Sequence, residues 1–116
     1  MILTQYILYL TKVIYLIMNW NTSDNKELIR TILALQNEKE VANFLRDLLT
    51  EQEIIEFAKR WKTARLLSNK VPYTEIEKQT GLSSTTIARV SQWLNKGMGG
   101  YKLMLNRLHH TSPSKK

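Results

Sequence analysis

Cysteine is absent from this chain of 116 residues, and proline and histidine occur only twice each. Without thiols there is neither a disulfide nor a thiolate metal site, which fits a reducing cytoplasm. The two histidines, His109 and His110, are neighbours near the end of the chain rather than members of a Ser–His–Asp set. No glycine-rich phosphate loop and no clustered carboxylate pair stands elsewhere. Glu51, Glu53 and Glu56 fall near an expected helix start, where acids favour the helix dipole. These gaps argue against an enzyme and leave no expected metal or cofactor. The length allows one domain with a modest core.

Long apolar runs are also scarce. Residues 1–18 hold 14 hydrophobic side chains but are interrupted by Thr4, Gln5, Thr11 and Lys12. A membrane span needs about 20 mostly apolar residues, and a secretory leader starts with positive charge and ends at a small-residue cleavage site. Residues 1–18 are therefore expected to be an apolar extension outside the fold, from a misassigned start or dispensable. An interfacial or packing helix and a membrane anchor are the other readings. Met18-Asn19-Trp20-Asn21 then opens the domain, expected over residues 19–108, and residues 109–116 read as a frayed basic tail.

What is present is concentrated between Tyr73 and Val90. Thr74 with Glu77 has the spacing of a capping box that opens a short helix. Gly81 stands where that helix must stop, because a left-handed residue is cheap for glycine. Ser83 is placed to cap a second helix, with Ser84, Thr85 and Thr86 in its first turn. Ile76, Leu82, Ile87 and Val90 are spaced to lock the two helices together. The pattern reads as a helix-turn-helix, with an ordinary helical hairpin as the alternative. On the second helix Thr85, Arg89, Gln92 and Lys96 follow i, i+4, i+7, i+11 and share one side, while Ile87, Val90 and Leu94 take the other. Such a polar stripe is usually only a solvated face. On a recognition helix its hydroxyl, guanidinium and amide groups suit base edges and phosphates. Tyr73, Thr74, Ser83, Ser84, Thr85, Thr86, Arg89, Gln92 and Lys96 are the expected DNA contacts.

Charge follows the same division. The chain carries net +7, with −4 over residues 19–58 and +10 over residues 59–116. A basic half that contains the helix-turn-helix suits a polyanionic partner. An acidic front half argues against a general polycation that coats nucleic acid.

The rest is also helical by pattern. Ser23 can cap a helix to about residue 36, with Leu28, Ile29, Ile32, Leu33 and Leu35 on its apolar side. Val41, Ala42, Phe44, Leu45, Leu48 and Leu49 mark a second helix. Thr50 and Glu53 form a capping box for a long third one that runs to about Ser68 through Ile54, Phe57, Ala58, Trp61 and Ala64. Pro72 closes the connector that follows. The recognition helix should end near Gly97, Gly99-Gly100 forms a break, and Tyr101, Met104, Leu105 and Leu108 define a last amphipathic helix. These helices are too apolar for a monomer of this size, so a symmetric dimer is the economical expectation. It would also bring paired recognition helices to successive major grooves.

Leu49-Thr50-Glu51-Gln52-Glu53, Arg60, Thr80-Gly81, Thr86-Ile87, Arg89-Val90, Leu94-Asn95, Gly97, Tyr101, Leu105 and Arg107-Leu108 together resemble the YerC/YecD group of Trp repressor-like proteins, over roughly residues 25–108. The resemblance implies an all-α, six-helix Trp repressor-like domain, an intertwined homodimer that binds double-stranded DNA as a bacterial transcriptional regulator. It also implies a ligand pocket. Arg60 and Arg89 match the arginines that hold tryptophan in Trp repressors, and Thr50 matches a ligand-contacting threonine. Val90 and Trp93 replace a glycine and a serine that keep that pocket open. Overfilling a packed site costs about 1–3 kcal/mol, so Thr50, Arg60, Arg89, Val90 and Trp93 are expected to form a vestigial pocket that does not use tryptophan. Sequence-specific, cytoplasmic DNA binding, most simply repression, is the leading reading. An RNA-binding or nucleoid-type module and a membrane-tethered interaction protein stay open as alternatives.

Overall fold

The computed structural model describes residues 2–16 and 18–111, which are helical with no strand among them. They divide into two compact units, residues 1–48 and 49–116.

The first unit holds α1 (Ile2–Leu16), α2 (Ser23–Ala34) and α3 (Glu38–Leu48). The α2 helix is capped by Thr22 rather than Ser23: the extended backbone at Thr22 lets its hydroxyl accept the Asn25 N–H at 3.2 Å. Asn19 steadies the approach, its carbonyl accepting from Asn25 Nδ2 at 2.8 Å and its side chain from the Asn21 N–H at 3.0 Å. The helix stops at Ala34, short of residue 36, because Leu35 is extended. Asn37 then starts α3: its side chain accepts the Glu40 N–H at 3.0 Å, and Glu40 reaches back to the Gln36 N–H at 2.9 Å. Neither α2 nor α3 contains a buried residue. Leu28, Ile29, Ile32, Leu33, Val41 and Leu48 are all exposed, Leu33 at 78%. No helix among the described residues is long and apolar enough to cross a membrane.

The second unit is α4 (Glu51–Ser68), α5 (Tyr73–Thr80), α6 (Ser84–Lys96) and α7 (Gly100–Thr111). The α4 helix is its axis and packs against the other three, while α6 also packs on α5 and α7. Ala64, Ile76, Ile87 and Val90 are fully buried, and Leu82 and Leu94 nearly so. Leu66, Leu67 and Val71 close around Ile76, Leu82 and Ile87. Burying each such aliphatic side chain is worth about 1.5–3 kcal/mol. The core residues expected between Ile76 and Leu94 are therefore the ones inside. The Thr50–Glu53 capping box is present, with both bonds made.

The entry to α5 differs from the Thr74–Glu77 box. Pro72 is the N-cap and its carbonyl accepts from Glu75 and Ile76, each at 3.0 Å, with no side-chain cap. The helix thus begins at Tyr73, and Thr74 already lies within its first turn. At the other end α7 continues to Thr111, past Leu108 and into the segment expected to fray, and residues 112–116 lie outside those described.

Candidate nucleic-acid interface

The turn between α5 and α6 is built from three local devices. Gly81 adopts φ 73°, ψ 5°, and its N–H closes α5 on the Glu77 carbonyl at 2.8 Å. A methyl group there would meet nothing nearer than Lys59 Nζ at 3.9 Å, so the backbone conformation and not space calls for glycine. Buried Thr80 donates to the Ile76 carbonyl at 2.7 Å and accepts the Leu82 N–H at 3.2 Å, which satisfies the polar groups under the turn. Ser83 caps α6 by accepting the Thr86 N–H at 3.2 Å.

The face that α6 presents outward follows from the face it buries. With Ile87, Val90 and Leu94 inside, Thr85, Arg89, Gln92 and Lys96 are all exposed. Ser84 and Thr85 stand open at the helix start. Thr86 is only half exposed, and its hydroxyl is paired with Ser83 Oγ at 3.1 Å. Tyr73 and Thr74 are exposed at the far end of α5, about 12 Å of helix from the turn. Two kinds of neighbour lie outside the expected set. Ala88 is exposed beside Arg89, and its place three after Thr85 was the available signal. Lys62 Nζ reaches the Gln79 carbonyl at 3.4 Å, and Lys59 lies against Gly81, so α4 adds positive charge beside the turn. Only the third dimension brings those lysines there.

A second cluster surrounds Arg60. Its guanidinium lies 6.0 Å from the Phe57 ring centroid and 5.9 Å from that of Trp93. Nε faces Glu56 at 3.5 Å, is shielded from solvent, and donates no hydrogen bond. Trp61 stacks on Tyr101 with centroids 6.1 Å apart and planes at 21°. Burial pushes the Tyr101 hydroxyl above its ordinary pKa, and the nearby Arg60 charge offsets part of that rise. Of the five expected pocket residues, Arg60 and Trp93 come together. Val90 is sealed in the core and Arg89 belongs to the exposed stripe. Thr50 caps α4 ten residues before Arg60, about 15 Å along the axis, with its hydroxyl engaged by Glu53. One chain does not gather all five.

Comparison with known proteins agrees with this architecture. The Trp repressor protein family matches residues 23–109, and the chain belongs to that family. It is 39% identical over 85 residues to YerC of Bacillus subtilis (strain 168), covering 73% of this chain and 82% of YerC. Its fold matches a TrpR-like protein from Eubacterium eligens ATCC 27750 with TM-score 0.75 and 33% identity, over 78% of this chain and 93% of the other. A candidate Trp repressor from Staphylococcus aureus matches with TM-score 0.75 and 31% identity, over 80% and 96% of the respective chains.

Proposed function

We propose that this protein is a sequence-specific DNA-binding transcriptional regulator, most simply a repressor, whose α5–α6 helix-turn-helix sets α6 in the major groove. The observation that carries this reading is the exposed stripe Thr85, Arg89, Gln92 and Lys96 on the helix whose opposite face is the core. Burial of Ile87, Val90 and Leu94 fixes that helix in rotation, so the stripe points outward without the need for a ligand. Arg89 has the fork geometry for guanine and Gln92 the amide for adenine, whereas Lys96, Tyr73, Thr74 and Ser84 suit phosphates. The N-terminus of α6, with Ser83 as cap, favours an anion in the same place. Lys59 and Lys62 extend the positive surface.

The acting species is a homodimer. The apolar sides of α2 and α3 are only partly covered within their unit, and a second copy of the chain supplies the rest. Two recognition helices then read a two-fold symmetric site. Tryptophan is not the corepressor: the chain's own Trp93 indole already lies against Arg60, and Val90 fills the interior where a glycine would leave room. Calorimetric titration with L-tryptophan is expected to show no micromolar binding, and DNA affinity that rises with added tryptophan would overturn this part. The whole reading is tested by selecting bound sites from random DNA duplexes. Enrichment of a two-fold symmetric sequence is expected; no enrichment, or equal capture of RNA, would contradict it.

A further inference from the structure

A cavity of about 540 Å³ opens at the C-terminal end of α4, walled by α6 and α7. This lies within the range of small-molecule sites, about 300–1,000 Å³. Leu67, Leu94 and Leu105 make its apolar wall, and Lys70 and Lys102 are the only charged residues that line it. Asn95 Nδ2 donates to the Ser91 carbonyl at 2.9 Å and also reaches Ser91 Oγ at 3.5 Å, so the Ser91 hydroxyl keeps its own proton to offer. The cavity therefore combines an apolar wall, two cations and a hydroxyl donor, with no carboxylate.

The backbone adds an independent observation. Among the described residues Lys70 is the one non-glycine residue with positive φ, at 61°. It closes α4 through its N–H to the Leu67 carbonyl at 2.9 Å, with the Val71 N–H bonded to the Leu66 carbonyl at 3.1 Å. Helices that end on this pair of bonds usually carry glycine at the left-handed residue, because a Cβ is disfavoured there. A lysine in that place gives up local stability while keeping an ammonium group at the cavity. Non-glycine residues in this conformation concentrate at ligand sites.

We propose that this cavity binds a small organic anion, with the acid group held by Lys70 and Lys102, a hydrogen bond from Ser91, and an apolar body against Leu67, Leu94 and Leu105. Ser91 and Leu94 belong to the reverse side of α6 from Arg89 and Gln92, so the site is separate from the polar stripe. Its test is direct binding and does not depend on the DNA reading. Sodium hexanoate titrated into the full chain at constant ionic strength, followed by amide NMR, should shift Lys70, Ser91, Asn95 and Lys102 together and saturably. Hexanol, lacking the charge, should bind at least about tenfold more weakly, as should hexanoate to the Lys102→Ala protein. Lys70→Gly separates function from fold: it should lose a similar factor in hexanoate affinity while melting at the same or a higher temperature. Absence of saturable shifts, equal binding of hexanol, or undiminished affinity in both substituted proteins would overturn the proposal.

Discussion

Residues 49–111 enclose a core, whereas residues 18–48 contain no buried residue and leave most of their apolar side chains exposed. Both stretches carry amphipathic helices of similar length, so helix-forming pattern alone does not separate them. The difference lies in what each helix has to pack against. The α4 helix meets three neighbours and seals Ile76, Ile87 and Val90. The α2 and α3 helices contain no fully buried residue; Phe44 and Leu45 are partly covered, while Ile32 stands at 49% and Leu33 at 78% exposure. Charge separates the units as well: residues 1–48 balance to zero, and residues 49–116 carry the whole net +7. The difference is one of packing: the second unit fixes the outward face of α6 through its own core, whereas the first leaves apolar surface exposed.

The largest effect that can test this contrast is cavity formation in the second unit. Ile87→Ala should lower unfolding free energy by about 2–5 kcal/mol in urea titrations. Its counterpart Leu33→Ala, in a chain on its own, should stay within about 0.5 kcal/mol. A larger loss that grows on dilution, with light scattering showing dimers of the natural chain, is the outcome expected if a second copy covers α2. A monomeric chain with an indifferent Leu33 would break the dimer half of the contrast.

A smaller effect sharpens the second unit. Ser83→Ala removes the acceptor for the Thr86 N–H and the partner of its hydroxyl, and should cost about 0.5–2 kcal/mol in thermal unfolding. An unchanged stability would mean that solvent caps α6 equally well. The smallest expected effect is at Glu53, the residue that completes the cap of α4. The Thr50 backbone N–H, and then the Thr50 hydroxyl, hold the Glu53 carboxyl below its ordinary pKa. Its contribution is therefore present above the unfolded value, about 4.3, and is lost as pH falls through the lower folded value. Glu53→Gln should flatten that part of the acid limb of stability; an identical pH profile would deny the cap a role.

Much of the second unit was legible from residue types alone. Gly81 as a left-handed stop, Ser83 and Thr50 as caps, and the spacing of Ile76, Leu82, Ile87, Val90 and Leu94 are local signals, and local chemistry decides them. Caps are ambiguous in sequence where two candidates compete. Thr22 displaces Ser23 because the chain turns helical one residue earlier, at Ser23, and Pro72 displaces Thr74 because its carbonyl starts the helix first. Features made by distant segments were not legible. The Phe57–Arg60–Trp93 arrangement, the Trp61–Tyr101 stack and the lysines beside Gly81 depend on how α4 crosses α6 and α7. The left-handed Lys70 was hidden for another reason, since lysine gives no sign of a conformation it seldom adopts.

The outward face of α6 is the decisive surface, and Arg89 is its most direct probe. Fluorescence anisotropy should compare the natural chain and Arg89→Ala on the selected duplex and on a scrambled one, over a range of salt. A loss of about 1–3 kcal/mol is expected on the selected duplex, with little change on the scrambled one and unaltered thermal unfolding. Equal affinity of the two proteins for the selected duplex would contradict this expectation.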